Sequence, residues 1–152
     1  MSQRRRVVVT GMGLVSPLGN DMASSWDGIV NGRSGLGPIT TFDTEGYSTK
    51  IAGEIRGFDP TAFVPPKDVK KMDSFIHYGL AASLMAMEDA GLEVTEANAE
   101  RIGAIIGAGI GGILGIEETA VKLHEGGPRK ISPFYIPSTI INMLPGHLSI
   151  MK

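Results

Sequence analysis

Two short runs, Val7-Val8-Val9-Thr10 and Arg101-Ile102-Gly103-Ala104-Ile105-Ile106, each lead into a cluster of glycines and then into a helical pattern. Continuous apolar runs of this length predict strands buried on both faces, and a strand followed by a helix predicts an α/β layer fold. The 21 glycines of this 152-residue chain gather at the ends of such elements without a period, so tight turns are expected and a fibrous repeat is not.

Between and after the two runs the pattern is helical. Asn20 or Asp21 can cap a helix carrying Met22, Trp26, Ile29 and Val30 on one face, with Gly32 as its stop. Residues 34–66 are rich in Gly, Pro, Thr and Asp and predict a surface excursion with one strand at residues 50–55. Residues 67–90 give the clearest helix: Ile76, Leu80, Leu84 and Met87 form its stripe and Gly91 ends it. Gly107, Gly109, Gly111 and Gly112 open a further helix with Ile113, Ile116, Ala120 and Leu123 on one face, stopped by Gly126-Gly127-Pro128. Residues 138–152 place Ile140, Ile141, Leu144, Leu148 and Met151 at helical spacing, where Pro145 predicts a kink. Two or three strands are few for so many helices. The expectation is therefore one incomplete α/β domain over residues 1–152, ending inside an element.

Charge and composition exclude several functions. Fourteen Lys plus Arg against 16 Asp plus Glu give a net charge of −2, without the basic excess that binds nucleic acid. No cysteine is present, which removes a disulfide scaffold, a thiolate metal site and a cysteine nucleophile from these residues. The charged start at residues 1–6 is followed by only three valines, so no export signal is expected. The longest uncharged stretch, residues 131–151, holds three prolines and a histidine, so no membrane span is expected and the chain reads as cytoplasmic.

Few motifs carry chemistry. Gly107-x-Gly109-x-x-Gly112 sits where a dinucleotide fingerprint would, but no second strand with an acidic residue follows, and the nucleotide reading fails. His77, His124 and His147 are dispersed, without ligand spacing, so no metal is expected, and structural roles are expected of His77 on its helix and His124 at a helix C-terminus. Lys67, Lys70 and Lys71, with Arg129 and Lys130, form two small basic clusters that read either as solvated surface or as a docking patch for an acidic partner.

Several runs together resemble one family. Residues 5–19 (RRVVVTGMGLVSPLG), 71–79 (KMDSFIHYG), 101–112 and 127–138 (GPRKISPFYIPS) are similar to β-ketoacyl-acyl-carrier-protein synthases, the second to fourth runs looking like synthase II of bacterial fatty-acid synthesis. The resemblance spans essentially this whole chain but less than half of a family member. It implies the first part of a thiolase-like α/β/α/β/α layered fold, usually a homodimer, lying before the family's nucleophilic Cys and two catalytic His.

Residue by residue, the resemblance implies that Ile110 gates a fatty-acyl pocket, that Ile113 and Ile116 form its wall, and that Tyr135 and Ile136 reach the partner subunit's pocket. It also implies that Lys67, Lys70, Lys71, Arg129 and Lys130 dock an acidic acyl carrier protein. The implied reaction is decarboxylative Claisen condensation of an acyl thioester with malonyl-carrier protein, without a cofactor, and this chain by itself is expected to be inactive. A non-catalytic module that binds carrier protein or a synthase subunit is the alternative.

Overall fold

The computed structural model describes residues 5–152; residues 1–4 of the charged start lie outside them. In chain order the elements are α1 (Met22–Val30), β1 (Leu36–Pro38), β2 (Ile51–Gly53), α2 (Pro66–Val69), α3 (Ser74–Asp89), α4 (Ile113–Gly126), α5 (Tyr135–Thr139) and α6 (Met143–Met151), with single 3-10 turns at Pro60–Ala62, Ala99–Arg101 and Pro128–Lys130. The chain groups into two compact units. One runs up to Arg56 and takes in Leu84–Glu93; the other comprises Gly57–Ser83 and Val94–Lys152.

In the first unit, Asp21 caps α1 by accepting the Ser24 N–H at 2.7 Å and the Ser24 hydroxyl at 2.8 Å. Gly32 ends the turn after α1 with φ +65°, a conformation that favours glycine. The buried face of α1 is Ser25 and Gly28, whereas Trp26, Ile29 and Val30 of the expected apolar face are exposed. Ser25, fully buried, bonds Ser16 Oγ at 2.8 Å and donates to the Gly19 carbonyl, tying α1 to the turn before it. β1 and β2 pair antiparallel, Leu36 opposite Gly53, and Glu54 just beyond accepts hydrogen bonds from the backbone and hydroxyls of Thr40 and Thr41. The expected strand at residues 50–55 is thus present at Ile51–Gly53, with a partner that the sequence reading did not identify.

The Asp21 cap gives a first prediction. Hydrogen bonds from Ser24 hold its carboxyl below the usual aspartate value, so the carboxylate form is the one the fold favours. Asp21→Ala should cost about 1 kcal/mol at neutral pH. A group with a depressed folded-state pKa stabilises above its unfolded value and loses that contribution as pH falls through the folded one. Urea unfolding of wild type and variant should therefore differ at pH 7 and converge in acid; a gap unchanged in acid would contradict it.

In the second unit, Val64, Ile76, Leu80 and Leu144 form the core, with Phe63, Val69, Met72, Phe75, Ile106, Met143 and Leu148 packed around it. Ile76 and Leu80 sit one turn apart on α3, as the stripe predicts. Gly79 lets Leu144 approach: a Cβ there would collide with a Leu144 methyl. Residues 67–90 are not one helix, because α2 ends at Val69 and α3 starts anew at Ser74. Pro145 does not kink a long helix either. Residues 138–152 divide into the end of α5 and α6, and Pro145 falls in the first turn of α6, where its missing N–H costs no helical bond.

Neither predicted buried strand is present among the described residues. Residues 7–10 belong to no strand, and Val7 and Val9 are 94% and 81% exposed. Residues 102–108 also lie outside any strand. Ile102, Ala104, Ile106 and Ala108 are half-buried and alternate with exposed neighbours, Ile105 being 100% exposed. That is the side-chain period of a strand without a ladder. A run of apolar residues sets the alternation, but the ladder needs a second backbone, and none of the described segments supplies it.

Candidate functional site

The basic residues sit at two turns of the second unit. Lys67 lies on α2, whose first position is Pro66, and Lys70 caps its end; both are exposed. Arg129 and Lys130 lie on the exposed turn Pro128–Lys130, which follows Gly127 at φ +73°. Among the described residues none of these four joins a salt bridge, so their charge is available to a partner.

Lys71 differs. Its Nζ bonds Asp68 Oδ1 at 2.7 Å and stands 5.6 Å from the centre of the Phe134 ring, and its side chain is half-buried. The Lys71 hydrogen bond is the main cause holding the Asp68 carboxyl below the usual carboxylate range, with the fields of Lys71, Lys67 and His147 adding to it. His147 itself is pushed below the ordinary imidazole value by burial, which outweighs the field of Asp68. His77 Nε2 lies 3.0 Å from the Val69 carbonyl, which can only accept, so the ring donates there and holds the end of α2. The structural role expected of His77 is what this geometry provides.

The apolar residues singled out by the resemblance sit on the glycine bend, α4 and α5. Ile110 is in the bend before α4, Ile113 and Ile116 are in its first two turns, and Tyr135 and Ile136 open α5. Ile110, Ile113, Ile116 and Ile136 are exposed and Tyr135 half-buried. α4 does not pack by its expected apolar face. Its sheltered positions are Gly112, Gly115 and Thr119, while Ile113, Ile116 and Leu123 face outward. Gly112 takes the N-cap position of α4 and has no side chain to cap it.

A cleft of about 290 Å³ opens beside these elements, lined by Lys70, Asp73, Ser74, Leu114, Glu118 and Ser138 among others. Its walls come from the residue 70–74 segment and the first turns of α4. The isoleucines named above are not among its lining residues. Asp73, which sequence reading missed, is half-buried in this wall and accepts the Gly115 N–H at 3.2 Å. The i,i+3 spacing of Asp68 and Lys71 was a legible signal for their pair. Asp73 had none, because its partner lies 42 positions away.

The chain is 55% identical over 149 residues to the 3-oxoacyl-(acyl-carrier-protein) synthase 2 of Vibrio cholerae and 44% identical over 144 residues to that of Synechocystis. It covers 98% and 95% of its own length in these matches but only 36% and 35% of theirs. Among solved structures, it superposes with a TM-score of 0.79 and 28% identity on a complex described as a type II polyketide-synthase acyl-carrier protein with its ketosynthase bound to the hexaketide. That match covers 98% of this chain and 40% of the other. The ishigamide ketosynthase/chain length factor gives the same TM-score at 30% identity, over 97% of this chain and 37% of that one. The fold is thus that of the ketosynthases, described here over the part containing a small antiparallel sheet and six helices. Residues 4–151 match the beta-ketoacyl synthase N-terminal domain, and the chain belongs to that family.

Proposed function

We propose that this chain supplies the N-terminal part of a fatty-acid-elongating β-ketoacyl-acyl-carrier-protein synthase, docking the carrier protein and shaping the acyl pocket. The observation that carries the reading is the 55% identity over 149 residues to a 3-oxoacyl-(acyl-carrier-protein) synthase 2. In the implied reaction a cysteine thiolate takes the acyl group and releases the carrier thiol. Malonyl-carrier protein then loses CO2, and its α-carbon attacks the acyl carbon. A C–C bond forms as the C–S bond breaks, with histidines assisting decarboxylation and stabilising the oxyanion. The cysteine must come from outside these 152 residues, which contain none.

Within that division of labour, Lys67, Lys70, Arg129 and Lys130 meet the acidic carrier, and Ile110, Ile113 and Ile116 border the acyl chain. Tyr135 and Ile136 extend that border toward a second subunit of a homodimer. No cofactor or metal is invoked. Among the described residues no helix is long and apolar enough to cross a membrane, and a cytoplasmic enzyme fits the reading.

A chimera tests it. With this chain replacing the matching 36% of the Vibrio cholerae synthase, β-ketoacyl product should form from acyl- and malonyl-carrier protein. The purified 152-residue chain should form none. A chimera that folds and binds carrier without condensing would instead favour a non-catalytic interaction module, and condensation by the chain alone would overturn the assignment of the nucleophile.

A further inference from the structure

From the contacts at the start of α3 we infer that Asp73 is a positioning residue that joins the docking segment to the acyl-pocket helix, so that carrier binding at Lys67 and Lys70 is felt at Ile113 and Ile116. The inference rests on the docking reading above.

Five bonds meet at this residue, one of them the His77 N–H donating to its carbonyl at 3.4 Å. Asp73 Oδ2 accepts the Gly115 N–H at 3.2 Å and Oδ1 accepts the Ser74 hydroxyl at 3.1 Å. Its own N–H donates to the Ser138 carbonyl at 3.2 Å, and its carbonyl accepts the Ile76 N–H at 3.0 Å. The starts of α3 and α4 and the end of α5 are thus held together by one side chain and its backbone. Gly112 has no side chain to cap α4; the Gly112 and Ile113 N–H groups donate to the Thr139 and Gly111 carbonyls, and the Asp73 carboxylate takes the Gly115 N–H, a capping bond from a distant part of the chain. The glycines make this approach possible: a Cβ on Gly112 would lie 2.9 Å from Asp73 Oδ2, and one on Gly115 3.1 Å.

The other end of the link is equally short. Asp73 follows Lys70 by three residues, and between them Lys71 is fixed to Asp68 and to the Phe134 ring. A carrier docked at Lys70 therefore sits three residues of chain from the carboxylate, with the anchored Lys71 between them. Ile113 and Ile116 ride on the turns that this carboxylate caps. A contiguous chain of packed and bonded groups is the physical requirement for such coupling.

Hydrogen exchange on the 152-residue chain, with and without an acidic bacterial acyl carrier protein, tests it. Wild type should gain protection on carrier addition both at residues 66–71 and at residues 112–116. Asp73→Ala should raise basal exchange at 112–116 about fivefold, the order expected on losing one cap, and should keep carrier protection only at 66–71. Asp73→Asn, which retains an acceptor, should restore part of both effects. In the chimera, Asp73→Ala should lower kcat while the KM for carrier stays within about twofold, because it spares the docking cations.

Protection of 112–116 by carrier in Asp73→Ala equal to wild type would overturn the inference and leave docking standing. Absence of carrier protection at 66–71 in wild type would overturn docking and the inference with it. Should Asp73→Ala lose protection across residues 76–80, and so fail to fold, Asp73→Asn decides: wild-type coupling and exchange in that variant, with normal kcat, would show that the carboxylate is not the link.

Discussion

Replacing Lys67 and Lys70 together by Glu in the chimera should lower kcat/KM for carrier-linked acyl substrates about ten- to a hundredfold at low salt, the order by which electrostatic steering raises encounter rates. Both side chains are exposed and, among the described residues, join no salt bridge, so the change converts two attractive charges into two repulsive ones. Charges this exposed act over a Debye length of about 8 Å at physiological salt, so the defect should shrink as salt is raised. Turnover of a small uncharged acyl thioester should stay near wild type. An equal loss toward carrier-linked and free thioesters would mean that the lysines support the fold and that the docking assignment is wrong.

Lys71 is left out of that pair for a structural reason. Its ammonium is already engaged by Asp68 and by the Phe134 ring, and reversing it would set two acids side by side and remove contacts of the fold. Five cations in two short clusters look interchangeable until the structure shows which of them have partners. The spacing marks the basic clusters; it does not divide them into four available charges and one strut.

The same boundary separates what was legible in the fold from what was not. Helix stops are local. Gly32, Gly91 and Gly127 each take positive φ, within two residues of where the pattern ends. The α3 stripe is also local, since Ile76 and Leu80 fall one turn apart whatever surrounds them. Which face of a helix is covered is not local. On α1 and α4 the apolar stripes are present as read, yet the sheltered sides are Ser25 with Gly28 and Gly112 with Gly115. Small residues there let a neighbouring backbone or carboxylate come close, and the larger side chains are left outward. The break at residues 70–73 was legible in principle, because Asp73 before Ser74 is a helix-start signal. It was overridden by the apolar period on its C-terminal side. Of the candidate site, the cations and isoleucines could be named from resemblance, whereas Asp73 and its glycine neighbours became visible only once residue 73 and the start of α4 were in contact.

The contrast between a stripe that is buried and a run that is not gives the last expected result. Leu80 is fully buried in a core cluster of four residues, so Leu80→Ala removes apolar contacts that the small core has little capacity to replace. The loss should be about 2–5 kcal/mol. With a urea dependence of about 2 kcal/mol per molar, this moves the unfolding midpoint down by about 1–2.5 M. Ile105 is just as apolar, and its run was read as a strand buried on both faces, but the structure leaves it wholly exposed. Ile105→Ala should therefore stay within about 0.5 kcal/mol of wild type, as surface substitutions do. Both variants should be followed in the same 152-residue chain by a probe of the second unit, such as hydrogen exchange at residues 76–80. If Ile105→Ala proves as costly as Leu80→Ala, residues 101–106 are buried in solution, and the strand predicted there forms after all.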